Sequence, residues 1–175
     1  MPIVTVPAPS NVNTILQRIV SIAQTVSIPT TPVTTITAAF DTQPADPTNA
    51  IVPFVVIQSA VKPGVVRAFA GTGQLHVDDH FKLVLCLELQ QAEALQQTNL
   101  ALALQWRDAV LATFAQHLQL SPAASPGNPD LAQFIIDAVV TSWLGPTWVE
   151  FGQTTYTCLE FEFTVREHQV VTFAT

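Results

Sequence analysis

The chain has 175 residues, enough for one domain with a real hydrophobic core. Only 11% of them are charged and 49% are hydrophobic, where about 25% charged is usual. The surface must therefore be built of neutral polar groups and is poorly protected against association. A net charge of −7, from 13 acids and 6 bases with no Lys/Arg cluster, excludes a phosphate grip on nucleic acid, though not a wall past which DNA slides.

Residues 1–9 read as an extended arm, with prolines at positions 2, 7 and 9 and neither a basic leader nor a cleavable apolar core. No run approaches the roughly 20 apolar residues that cross a bilayer, so a soluble, unexported protein is expected. Ser10 is a good N-cap. Val12, Ile15, Leu16, Ile19, Ile22, Ala23 and Val26 keep a helical period, which predicts a helix over 11–26 that Pro29 and Pro32 stop. The Thr- and β-branched-rich run 33–40 predicts a strand. Asp41, Asp46 and Asn49 fall in a turn-rich loop, 41–50. A strand over 51–60 follows, with Pro53 marking an edge or bulge. Lys62-Pro63-Gly64 turns the chain into a further short extended stretch, 65–70.

The stretch 75–89 is the clearest strand. Phe81, Leu83, Leu85, Leu87 and Leu89 alternate onto one face, with His76, Asp78, His80, Lys82 and Glu88 on the other. A long helix is expected over 92–119, with one apolar stripe through Leu95, Leu102, Trp106, Ala109 and Val110. A second runs through Leu100, Leu104, Leu111 and Leu118, so the helix is expected to pack on more than one side. A loop of turn formers spans 121–130. The next segment, 131–143, favours strand by propensity, while Leu131, Phe134, Ile135 and Ala138 also fit a helical face. Gly145-Pro146 is expected to turn the chain. Two final strands, 148–151 and 156–165, form a hairpin, with Leu159, Phe161, Phe163 and Val165 inward and Glu160, Glu162 and Arg166 outward. Together these elements define a single α+β domain: a mostly antiparallel sheet flanked by an N-terminal helix and one long central helix.

Chemistry-bearing residues are sparse. His76, Asp78 and His80 share a strand face at steps of about 7 Å, and three such ligands suit zinc or non-haem iron. The competing reading is a solvated strand start. His117 and His168 have no metal-like spacing. No nucleophile elbow is present, and Gly71-Thr72-Gly73 lacks the lysine and helix of a phosphate loop. Glu160 and Glu162 share a strand face, as an acid/base pair would, but the stronger reading is a charged face that discourages edge pairing. Trp106, Trp143 and Trp148 are expected in core or interface packing. Cys86 and Cys158 both fall in expected strands and are read as free, buried thiols. No catalytic residue, metal or cofactor is assigned.

The order "HFKLVLCLEL", then "LALALQWRDAVLATFAQHLQL", a Pro/Gly/Asn loop and "WVEFGQTTYTCLEFEFTVREH" resembles the tail-terminator, or tail-completion, proteins of tailed bacteriophages and related neck proteins. The resemblance covers roughly residues 75–168 and rests on element order and alternation. It implies a structural virion protein at the head–tail junction, assembled in the host cytoplasm. Its expected partners are copies of itself in a hexameric ring, the tail-tube protein and head-closure proteins, with DNA passing through unbound and no membrane involved. Under this reading Asp41, Asp46 and Asn49 are candidates for a loop reaching the next ring. Asp78, Asp79, Glu160 and Glu162 are candidates for an acidic face. The alternatives are another neck component, or a small metal enzyme using His76, Asp78 and His80.

Overall fold

A computed structural model describes residues 3–4, 12–30, 34–41, 52–59, 65–69, 74–89, 98–120, 135–151, 154–170 and 173–174. The elements, in chain order, are β1 (Ile3–Val4), α1 (Val12–Ala23), β2 (Ser27–Ile28), β3 (Thr34–Thr35), β4 (Ala38–Phe40), β5 (Phe54–Ser59) and β6 (Val65–Phe69). Then come β7 (Gln74–Leu89), α2 (Thr98–Ala115), β8 (Ile135–Phe151), β9 (Thr154–Val170) and β10 (Phe173–Ala174). A six-stranded sheet runs β4-β5-β7-β9-β8, with β6 also paired to β7. Among the described pairs of this sheet only β4–β5 is parallel. The α+β class expected from the sequence is the class observed.

β7 and β9 form the spine. They are antiparallel and paired from Gln74–Val170 at one end to Leu89–Tyr156 at the other, with a bulge between Cys86 and Glu88. Their alternation sorts the residues. Phe81, Leu83 and Leu85 on β7, and Leu159, Phe161, Phe163 and Val165 on β9, enter the main core. Both helices cover this face. α1 contributes Ile15, Ile19, Ile22 and Ala23 at helical spacing. α2 contributes Ala103, Trp106, Val110 and Phe114, and the Phe114 ring meets Phe163 edge-on at 4.5 Å. Each such large side chain, fully buried, stabilises by about 1.5–3 kcal/mol.

Four expectations need correcting. Among the described residues α2 buries mainly one stripe: Leu100, Leu102 and Leu118 are exposed, Trp106 and Val110 of the first stripe are buried, and of the second Leu111 packs partly against the core. α1 closes at Ala23, where Thr25 N bonds back to Ile22 O and the Thr25 hydroxyl donates to the same carbonyl. The run 33–40 is two strands, because the chain changes partner. Thr34–Thr35 pairs with β2, Ile36 N donates to Val26 O, and Thr37 then donates from both N and Oγ1 to Pro53 O beside β5.

The fourth correction concerns Gly145-Pro146, which does not turn the chain. β8 is one strand of 17 residues that passes through the pair by shifting register between Leu144 and Thr147. Gly145 has φ +138, and a Cβ there would lie 2.8 Å from Leu159 Cδ2 and 2.9 Å from the Cys158 carbonyl oxygen. Pro146 is tolerated because β8 is the edge of the sheet. The main-chain N–H of Ala138 donates to Leu118 O, which ties the end of α2 to β8.

The arm expected over 1–9 is described only at Ile3–Val4, which pairs with Phe173–Ala174. The expected loop 121–130 and the parts of the long helix before residue 98 lie outside the described residues. No described helix is long and apolar enough to cross a membrane.

Candidate functional site: the polar face of the β7–β9 pair

The face of β7 and β9 turned away from the helices changes character along its length. Toward one end Val84, Cys86, Tyr156 and Cys158 join Phe54, Val56 and Phe151 in a second buried cluster. Phe54 sits among aromatic rings: Tyr156 edge-on at 5.2 Å, Phe40 edge-on at 6.0 Å and Phe151 tilted at 6.3 Å. Cys86 and Cys158 are directly opposite in register, both free and buried, with Sγ atoms 3.1 Å apart. The bond to Cys158 and burial push the Cys86 thiol far above its ordinary value, which favours its neutral form.

Toward the other end the same face is polar, and its residues meet across the strands. His76 lies opposite His168, with rings edge-to-face at 5.5 Å. Asp78 lies opposite Arg166, whose Nε donates to Oδ1 at 2.7 Å and whose Nη2 donates to Oδ2 at 3.4 Å. Arg166 also approaches Asp137 of β8, with Nη1 3.7 Å from Oδ2. His80 Nδ1 hydrogen-bonds Thr164 Oγ1 at 3.1 Å. Lys82 pairs with Glu160. The Thr147 hydroxyl donates to Glu160 Oε1 at 3.3 Å, and the Ser142 hydroxyl donates to Glu162 Oε2 at 3.1 Å. This is a cross-strand ladder of ion pairs and hydrogen bonds.

The ladder decides what the opening residues can do. His76, Asp78 and His80 share a face, as their spacing requires, but each meets a different partner on β9. A metal centre needs its ligands turned toward one point, with supporting groups behind them. Among the described residues no group of three or more His, Cys, Asp or Glu side chains is arranged to hold a metal ion. Glu160 and Glu162 share the outward face, bonded to Lys82 and Ser142 respectively.

The four acids singled out together are split between faces. Asp78, Glu160 and Glu162 belong to the ladder. Asp79, one residue on, points toward the main-core side, where it shares a hydrogen bond with Glu167. Glu167 is only 1% exposed. Burial pushes the Asp79 carboxyl above its ordinary value. The bond from Glu167 and the nearby His80 oppose the shift, and the charge of Asp78 adds to it. Asp41 accepts a hydrogen bond from the Gln17 side chain. Asp46 and Asn49 lie outside the described residues.

Sequence reasoning missed Arg166, Glu167 and His168 as partners. The signal that would have found them is the register of β7 against β9, which no local turn sets. No protein-family model matches the chain, and a search of curated proteins finds no match.

Proposed function

We propose that the protein is a structural subunit that assembles with copies of itself, and that it performs no catalysis. Within that class, our reading is a tail terminator of a tailed bacteriophage. It would form a six-fold ring at the head–tail junction, stop tail-tube growth and dock the tube to the head, with DNA passing through. The observation that carries the class is the exposed surface of β8. Trp148 is 69% exposed, Leu144 60% and Trp143 40%, on the outermost described strand beside β9, in a chain with very little charge. The cross-strand ladder supports the non-catalytic part, because its side chains are engaged with one another instead of converging on a cleft. The resemblance over residues 75–168 supports the neck assignment, and the net charge of −7 suits a channel that does not hold DNA.

Electron microscopy of the purified chain, alone and mixed with tail tubes of the same particle, tests the reading. Six-fold rings, or caps at one end of the tubes, are the expected result. A protein that ignores the tubes and carries stoichiometric zinc or iron would overturn it in favour of the metal reading.

A further inference from the structure

Among the described residues the main sheet is open on both sides. On one side lies β8, 17 residues long and paired only with β9; on the other, β4 ends the sheet beyond β5, and β6, paired only with β7, lies alongside. None of these outer margins has a described strand beside it, though the Ala138 N–H of β8 is already taken by Leu118 O. An open edge presents a row of N–H and C=O groups that another strand can satisfy. Natural edges are blunted by charge, proline or bulges; β8 has no charge between Asp137 and Glu150, although Pro146 and the register shifts interrupt its edge locally. Instead that stretch exposes Val139, Trp143, Leu144 and Trp148.

The β8 and β6 edges complement one another in charge, which β4, carrying none, does not. β6 contains one charged residue, Arg67, and no acid; β8 contains two, Asp137 and Glu150, both acids. Their directions match as well. β6 is antiparallel to β7, β7 to β9 and β9 to β8, so β8 and β6 run in opposite senses. A neighbouring copy in the same orientation would therefore meet β8 with an antiparallel β6, continuing the alternation of the sheet. Two copies of β8 paired about their own centre, Trp143, would instead set Asp137 against Val149 and Glu150 against Ile136, with no opposite charge to meet either acid.

We infer that the outer edge of β8 takes up the β6 edge of a second copy of this chain, head to tail, in one antiparallel sheet shared between subunits. Such a contact uses two different patches on each subunit, so it does not stop at a dimer; it closes into a ring when the rotation allows. The inference deepens the proposed function and rests on it only for the ring; the pairing of edges stands on the sheet itself.

Sedimentation velocity of the full chain over a concentration series, to about 100 µM, tests it, since even weak interfaces of ordinary size associate in the micromolar range. Wild-type protein is expected to form species larger than a dimer. Leu144→Lys and Trp148→Lys, both at exposed positions, are expected to weaken association at least tenfold with an unchanged thermal melt. Arg67→Glu is expected to weaken it too, and adding Glu150→Arg to that variant to restore it. A wild type monomeric throughout the series, a wild type that stops at dimers, or lysine variants that associate normally would each overturn the edge pairing. The neck assignment fails separately: rings that pair through β8 but never cap a tail tube sink it and leave the interface standing.

Discussion

The two ends of the β7–β9 pair are built from the same two strands but meet different surroundings. At the Cys86–Cys158 end both faces are buried, one by the helices and one by the cluster around Phe54. At the His76–His168 end the outer face is a ladder of charges and hydroxyls, and the inner face carries the Asp79–Glu167 carboxyl pair where the apolar core runs out. A strand is thus not simply inside or outside. One end is held by apolar burial, which salt hardly touches, and the other by paired charges whose attraction depends on solvent. Asp78, 5% exposed, shows the cost of the second design, because the Arg166 guanidinium beside it offsets the burial of its charge.

The sharpest way to break this contrast is Phe54→Ala, which empties the centre of the second cluster. A loss of about 4 kcal/mol is expected by urea unfolding, the same at low and high salt. Arg166→Ala is expected to cost about 2–3 kcal/mol, below the range for a fully buried pair because the guanidinium is partly solvated. Its effect should shrink in about 1 M salt, where screening has already weakened the pair. Equal salt dependence in the two variants would erase the distinction between the ends. Gly145→Ala is expected to cost about 2 kcal/mol, since the left-handed backbone and the close Leu159 and Cys158 atoms both resist a Cβ.

The smallest effect is expected from Asp79→Asn, and it is one of pH. The folded carboxyl is raised above its ordinary value, so between that value and its folded one the native state holds more protons than the unfolded state. The Asp79 contribution is therefore greatest in acid and declines as pH rises from about 4 upward. The Asn variant should melt slightly higher than wild type at pH 7 and lose that advantage toward pH 4. A wild type and variant with parallel melting profiles would show that the fold does not raise the Asp79 carboxyl.

Alternation was readable without coordinates because it is local. The sorting of Phe81, Leu83 and Leu85 inward, and of Glu160 and Glu162 outward, follows from the period of a strand. So did the buried stripe of α1. What was not readable depended on partners distant in sequence. Thr34–Thr35 and Ala38–Phe40 look like one strand until β2 and Pro53 divide the backbone bonds between them. Gly145-Pro146 carries every mark of a turn, and only the availability of an edge position lets β8 run through it. The second stripe of α2 is as apolar as the first, and nothing in its composition says which is covered. Arg166 opposite Asp78 and Cys158 opposite Cys86 needed the register of strands far apart in the chain.

That long register also has a mechanical side. β7 and β9 are held together by rungs running from Gln74–Val170 to Leu89–Tyr156, perpendicular to the strands. A pull along the strand direction would load many rungs at once, in shear, and none could yield without its neighbours. A pull across the free margin of β8 would instead meet them one at a time, like a zip. The domain is therefore stiff along one axis and peelable along another.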